Sequence, residues 1–550
     1  MNFKILNPNM KSFINKSENV VKEAIDGMLI NTKLAKLDRF PEIKVVVRTD
    51  WDKSRVALVS GGGSGHEPSH AGFVGEGMLT AAVCGEVFAS PSVDAVLSAI
   101  MAVTGEAGCL LIIKNYTGDR LNFGLAAEQA RALGYKVETV TIGDDIALGA
   151  DVKQRGISGT VFVHKIAGYY ASIGKSLEEV AKIAQEVIDN TASIGLALTE
   201  CQMFGGHKEI RLQEDQAELG LGIHGEPGAE VIPMQTADDF MHLAANKISN
   251  YYNNTSDKYA VLINNLGTVT PIEMNVLTHA FTKTQLAKQT QFIVGPGAFM
   301  TALNMNGFSI SAIKLTPAIQ EGLLADVEPT AWLKAQELST PKVVATPALE
   351  QLLPFQASKN EKTEALITKI AHTFIQIEQE INALDAKVGD GDAGATFAAA
   401  SQTVLRVINQ LPLNNTKETL ESIGRIFSRE AGGSSGVLMS ILFTGAANDF
   451  EKNQHLGQAL LAGVSKMKQY GGAKIGDRTM IDALEPAFTL LANNSSIQDA
   501  AQAARKGTES TKNIQKTLYG RSSYVPEELL KGVQDPGAEA MTRVLEALAQ

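Results

Sequence analysis

The chain has 550 residues, 44% of them hydrophobic and 20% charged, with a formal net charge of −11, enough for three or four compact units with ample core. The acidic balance excludes broad affinity for nucleic-acid phosphate or an anionic membrane, so any phosphate must be bound locally, through backbone amides and a metal. Three cysteines without zinc or redox spacing (Cys84, Cys109, Cys201), no apolar run near the ~18 residues of a membrane span and no secretory pattern after Met1 predict a soluble cytoplasmic protein.

Residues 1–337 alternate short β-branched runs with helical patterns. Strands are predicted at Ile43–Val47, Val56–Val59, Gly108–Ile113, Lys136–Val140, Gly159–His164, Tyr259–Ile263 and Gln291–Val294. Helical patterns between them include Ser92–Thr104, Phe123–Leu133 and Ser176–Thr191. Such alternation predicts α/β layers with substantially parallel sheets, in two lobes meeting near residues 190–200. Residues 338–362 mix proline with polar residues and read as a linker. From 363 to 550 strand signals stop. Eight apolar-periodic segments follow: Thr363–Asp385, Thr396–Asn409, Leu420–Arg429, Val437–Glu451, His455–Tyr470, Arg478–Asn493, Ile497–Lys512 and Ala538–Ala549. They predict an all-α domain of about eight helices.

Chemistry-bearing residues gather in glycine loops. Ser60-Gly-Gly-Gly-Ser-Gly-His66-Glu-Pro follows a strand, but its spacing fits neither a Walker loop nor a dinucleotide fingerprint. An incidental histidine in a tight strand–helix turn is the plain alternative, and the nearby His70 does not alter it. Lys114-Asn-Tyr-Thr-Gly-Asp119 also follows a strand, where ligand sites of open α/β sheets collect. Asp119 suits a general base, a hydroxyl acceptor or a helix cap. In Gly220-Leu-Gly-Ile-His224-Gly-Glu-Pro-Gly the glycines leave an imidazole sparsely covered, which suits a nucleophile, a base or an exposed turn. His164, His242, His279, His372 and His455 fall in strand or helix patterns and carry no assignment; His207 is undecided.

The helical part holds Asp385, Asp390 and Asp392 at i, i+5 and i+7, with glycines bending the chain between them. Three converging carboxylates need a cation. Oxygen ligands without histidine or thiolate favour Mg²⁺ or Ca²⁺, and the EF-hand spacing is missing. Gly432-Gly433-Ser434-Ser435-Gly436 opens an apolar helix and suits either an anion at a helix N-terminus or a plain cap. Gly476-Asp-Arg478-Thr-Met480-Ile-Asp482 offers a second wall, with Arg478 as a charge clamp.

Taken in this order, these motifs resemble the ATP-dependent dihydroxyacetone kinases, through nearly the whole chain. The resemblance implies a dihydroxyacetone-binding α/β domain of two lobes followed by an eight-helix nucleotide domain. It implies that His224 adds to the substrate carbonyl as a hemiaminal, that His66 and Asp119 bond the substrate hydroxyls with Asp119 as general base, and that Gly63 and Lys114 line the same pocket. Asp385, Asp390 and Asp392 would hold two Mg²⁺ on ATP. Thr396, Gly433, Ser434, Ser435 and Arg478 would contact phosphate and Met480 the adenine, with Arg521–Tyr524 and Asp535–Ala538 closing over the nucleotide. Ala393 stands where several relatives carry histidine, though the acids remain. The expected acceptors are dihydroxyacetone and glyceraldehyde, with no nucleic-acid or membrane partner, in a cytoplasmic homodimer. Rival readings are a bifunctional triose kinase that also cleaves FAD to cyclic FMN, and a non-catalytic carbonyl-binding regulator.

Overall fold

The computed structural model describes residues 12–149, 153–204, 211–253, 256–347 and 352–550. His207 lies outside them. The chain divides into two compact units, Met1–Lys342 and Val343–Gln550, and each is described by itself.

The first unit carries two sheets. Strands β1 (Leu34–Lys36), β2 (Val45–Arg48), β3 (Ala57–Ser64), β4 (Ala81–Val87), β5 (Cys109–Lys114) and β6 (Val137–Ile142) form one, in the order β1-β2-β4-β3-β5-β6. Its β4-β3-β5-β6 part is parallel, and β1 and β2 are antiparallel. The near-continuous burial of β3 and β5 is what a parallel sheet covered on both faces requires.

Strands β7 (Thr191–Ala197), β8 (Gln216–Leu219), β9 (Glu230–Pro233), β10 (Tyr259–Asn265), β11 (Thr290–Gly297), β12 (Gly307–Lys314) and β13 (Gln336–Glu337) form the second sheet. Their order is β13-β11-β10-β12-β7-β8-β9. Among its described strands β10 and β11 pair in parallel and the other neighbours are antiparallel. The expectation of substantially parallel sheets therefore holds for the first sheet and fails for the second. Strand–helix alternation does not determine which neighbour a strand chooses.

One predicted strand is also wrong. Gly159–His164 begins a helix, Thr160–Ser172. Most of its residues are buried on every side, so the segment lacks the polar stripe that marks a surface helix, and a short apolar run does not distinguish the two states. Its start is held by Asp144, whose carboxylate accepts the N–H groups of Ile157 at 2.7 Å and Gly159 at 2.8 Å.

The second unit is helical. The predicted segment Thr363–Asp385 divides into Glu361–Gln376 and Glu378–Asp385. The helices Ala393–Arg406, Thr416–Glu430, Gly433–Asn453, Leu456–Gly471, Ile481–Ala492, Ile497–Ser510 and Pro536–Ala549 follow, with the short turn Glu527–Leu530 before the last. Glu361–Gln376 packs on Ala393–Arg406, and each helix from there packs on the next of this series except that short turn. Pro536–Ala549 then returns to Glu361–Gln376, so eight helices close a ring. Phe374 and Phe397 stack inside it with centroids 5.2 Å apart, above a lining rich in alanine and methionine. Among the described residues no helix is long and apolar enough to cross a membrane.

Candidate active sites

Strand β3 runs straight through the glycine motif as far as Ser64 rather than turning at Gly61. A Cβ at Gly62 would stand 2.7 Å from Lys114 Nζ and 3.5 Å from Asp119 Oδ2. The missing side chain is therefore what lets these two groups reach the strand. Lys114 ends β5, and Asp119 sits in the first turn of the helix Thr117–Ala132. Their charged atoms are 4.0 Å apart and both side chains are buried. Asp119 does not cap its helix; its Oδ1 accepts the hydroxyl of Ser90.

His66 is fully buried and its Nδ1 donates to the carbonyl of Thr301 at 2.7 Å. A carbonyl only accepts, so in the neutral ring Nε2 bears the lone pair, and Nε2 has no partner. Burial, with the charges of Lys114 and His224, holds His66 well below the ordinary imidazole value.

The His224 ring meets His66 edge-on at 4.9 Å, Tyr116 at 4.6 Å and Phe88 at 5.4 Å between centroids. Its Nδ1 lies 3.1 Å from Glu226 Oε1, and its backbone N–H donates to Glu226 Oε2 at 2.9 Å. Lys114 Nζ stands 5.7 Å from the Tyr116 ring centre. Burial pushes the Lys114 ammonium down, against Asp119 and Glu226, and pushes the Tyr116 phenol well up. His66 Nε2, Lys114 Nζ and the Tyr116 hydroxyl are all buried without hydrogen-bond partners. Gly63 carries the backbone past Phe88 and Ala89: a Cβ there would stand 2.7 Å from the Ala89 nitrogen. Gly63, His66, Lys114, Asp119 and His224 thus share one site. A cavity of about 780 Å³ beside helix Val20–Met28 shares Gly62 and Gly63 with it but none of the other four residues.

In the second unit a cavity of about 700 Å³ is lined by Asp385, Asp390, Asp392, Thr396, Gly433, Ser434, Ser435, Arg478, Met480 and Asp535. Of the two segments expected to close over the nucleotide it also takes Ser522, Pro536 and Gly537 but, among the described residues, not Ser523, Tyr524 or Ala538. One carboxylate oxygen from each of Asp385, Asp390 and Asp392 lies within 4.8 Å of the others. Asp385 Oδ2 also accepts the N–H groups of Gly391, Asp392 and Ala393 at 3.0–3.2 Å, so it shapes the loop that presents the other two. The hard, closely spaced oxygens fit Mg²⁺. Ser434 and Ser435 lie in the first turn of Gly433–Asn453, whose N-cap, Gly432, makes no side-chain cap.

Arg478 departs from a simple clamp. It precedes its helix with φ +58°, and one Nη donates to the carbonyls of Val533 at 2.7 Å and Thr511 at 3.0 Å. Its Nε and other Nη are buried without partners, and burial lowers its pKa. These idle donors fit an anion. Asp535 caps Pro536–Ala549 through the N–H of Ala538 at 2.7 Å, and burial pushes its carboxyl up to about 7. Leu438, Ile441, Met467, Met480 and Tyr519 make the apolar part of the cavity.

Ser90, Phe88, Tyr116, Glu226 and Asp482 carry contacts that the motifs did not assign. Asp482 is buried and accepts from Gly476 at 2.6 Å and Thr479 at 2.9 Å, which folds the loop bearing Arg478. Glu226 had a local signal, since it follows His224 by two residues; the position of Ser90 opposite Asp119 had none.

Residues 27–331 match the Dak1 domain and residues 387–550 the DAK2 domain. The chain is 48% identical over 545 residues to a dihydroxyacetone kinase of Citrobacter freundii, covering 98% of this chain and 99% of that protein. It is 35% identical over 573 residues to the human triokinase/FMN cyclase, covering 98% and 99%. The crystal structure of the C. freundii dihydroxyacetone kinase in complex with AMP-PNP and Mg²⁺ superposes with a TM-score of 0.72 at 47% identity, over 98% of this chain and 99% of that one. The protein therefore belongs to the dihydroxyacetone kinase family, with a Dak1 and a DAK2 domain in one polypeptide.

Proposed function

We propose that this protein transfers the γ-phosphoryl group of ATP to dihydroxyacetone, giving dihydroxyacetone phosphate, and accepts D-glyceraldehyde as well. One observation carries the acceptor half: His66 Nε2, Lys114 Nζ and the Tyr116 hydroxyl are buried without hydrogen-bond partners around Asp119 and His224. Buried polar groups without partners are costly, and a small carbonyl compound with hydroxyls on both sides supplies what they lack. For the donor half, the support is the single cavity that joins three converging carboxylates, two serines at a helix start and the idle donors of Arg478.

In this mechanism His224 Nε2 adds to the carbonyl carbon, and the C=O π pair moves to the oxygen, which takes up a proton. The resulting hemiaminal selects carbonyl compounds over glycerol. Asp119 accepts the proton of the primary hydroxyl as that oxygen attacks the γ-phosphorus, and the bond to ADP breaks. His66 and Lys114 orient the remaining oxygens. Two Mg²⁺, held by Asp385, Asp390 and Asp392, would supply charge neutralisation on the triphosphate. Positioning and charge neutralisation do most of the work. Family membership supports a homodimer, and three cysteines that form no disulfide support the reducing cytoplasm.

A second reading, cleavage of FAD to cyclic FMN at the same nucleotide cavity, is favoured by the similarity to the human triokinase/FMN cyclase. Two assays on the full chain separate them. Mg-ATP turnover with dihydroxyacetone supports the kinase; Mn²⁺-dependent FAD cleavage without that turnover would replace it.

A further inference from the structure

We infer that Glu226 is the positioning residue that sets the tautomer of His224, so that Nε2 rather than Nδ1 offers its lone pair to the acceptor's carbonyl carbon. The inference rests on the reading of His224 as nucleophile.

The Glu226 carboxylate grips His224 at two points. Oε2 accepts its backbone N–H at 2.9 Å, and Oε1 faces Nδ1 at 3.1 Å. Burial alone would raise the Glu226 carboxyl, but the bond and charge of His224, with backbone N–H groups, hold it down at about 2. It is therefore ionised at any working pH and can only accept. The hydrogen bond forms only if Nδ1 carries the proton, which leaves Nε2 unprotonated in the neutral ring. Edge contacts from Tyr116, His66 and Phe88 limit ring rotation.

The surroundings favour the same role. A Cβ at Gly222 would stand 1.9 Å from Glu226 Oε2 and 2.7 Å from an Nη of Arg155, so glycine is what leaves room for the carboxylate. Arg155 is itself bound to Asp145 at 2.6 Å and to the Gly220 carbonyl at 2.8 Å. Attack by Nε2 forms the N–C bond and places positive charge on the ring. The carboxylate beside Nδ1 offsets that charge or takes the Nδ1 proton, returning the ring to neutrality. In the second case the carboxylate passes that proton to solvent as the former carbonyl oxygen takes one up, so Glu226 ends ionised and the net change is one proton moved from Nδ1 to that oxygen. The arrangement repeats the logic of a carboxylate behind a catalytic histidine.

Glu226→Gln tests this on the full chain. Its amide oxygen keeps the backbone N–H of His224, which turns the amide NH₂ toward Nδ1 and drives the ring proton to Nε2. Two signals are read: ¹⁵N NMR of the His224 imidazole for the tautomer, and ¹³C NMR of carbonyl-labelled dihydroxyacetone for the adduct. The expected result is an Nδ1–H ring in the wild type and an Nε2–H ring in Glu226→Gln. Adduct formation should fall between roughly 10²- and 10⁴-fold, with partial recovery in Glu226→Asp. An Nε2–H ring in the wild type, or an unchanged tautomer and adduct in the variant, would overturn the inference. If the wild type forms no adduct, the nucleophile reading falls and the tautomer still decides the role of Glu226. Should Glu226→Gln fail to fold, the wild-type tautomer decides alone.

Discussion

The rings of His66 and His224 meet edge to face, 4.9 Å apart at 72°. Each has Nδ1 engaged, by the Thr301 carbonyl and by the Glu226 carboxylate respectively. Two imidazoles of the same type are thus given separable tasks. His224→Ala should abolish the triose adduct seen by mass spectrometry after trapping. His66→Asn should retain the adduct while kcat falls about 10²-fold, the ordinary scale for a lost acid–base or orienting partner. An adduct that persists in His224→Ala would contradict the assignment.

Gly62→Val should destroy acceptor binding and spare nucleotide binding. Its Cβ would already meet Lys114 Nζ at 2.7 Å, and the added methyls press on Lys114 and Asp119. Titration of Mg-ATP against the variant should match the wild type, while dihydroxyacetone turnover is lost. Loss of nucleotide binding as well would mean that the effect reaches the second unit, and unchanged turnover would contradict the crowding of Lys114 and Asp119.

Asp385 and Asp390 should separate under the same substitution. Asp390→Asn removes charge from the metal cluster and should lower Mg²⁺-dependent nucleotide affinity. Asp385→Asn should lose that affinity and also lower the thermal midpoint, since Asp385 Oδ2 receives three backbone N–H groups and hydrogen bonds to a charged acceptor contribute about 1.5–3 kcal/mol each. Calorimetry with and without Mg²⁺ reads both quantities.

The buried pair His70–His164, with Nδ1 and Nε2 2.9 Å apart, predicts an acid-sensitive first unit. Burial holds His164 at about 3 against an ordinary 6.5, and holds His66 and His70 well below it too. As pH falls, the unfolded chain binds these protons first. The stability contributed by the neutral rings is complete above about 6.5 and is lost as pH drops toward 3, roughly 2 kcal/mol for His164 by pH 5. Urea unfolding at pH 7 and pH 5 should show this slope, and His164→Gln should flatten it. A slope unaffected by that substitution would exclude His164 as a source.

Much of this architecture was legible in the sequence, because the signals that carry it are local. Helical periodicity after residue 363 foretold the helical unit, and the β-branched runs at 109–113 and 259–263 foretold β5 and β10. The segment Gly159–His164 has the pattern of a strand because a helix buried on all sides loses the polar stripe that marks its period. Strand order in the second sheet was not legible, since pairing partners such as β7 and β12 lie more than 100 residues apart. At the candidate sites, the motifs named residues that the fold gathers, from Gly63 to His224 and from Asp385 to Asp535. The motifs could not name the groups that hold them. Ser90 reaches Asp119 across 29 residues, and Thr301 reaches His66 across 235.

The most direct test is a coupled assay with Mg-ATP and three acceptors: dihydroxyacetone, glyceraldehyde and glycerol. Phosphorylation of the two carbonyl compounds, with glycerol left unchanged, is the predicted result. Phosphorylation of glycerol at a comparable rate, or no ATP turnover with dihydroxyacetone, would contradict a kinase that holds its acceptor through His224.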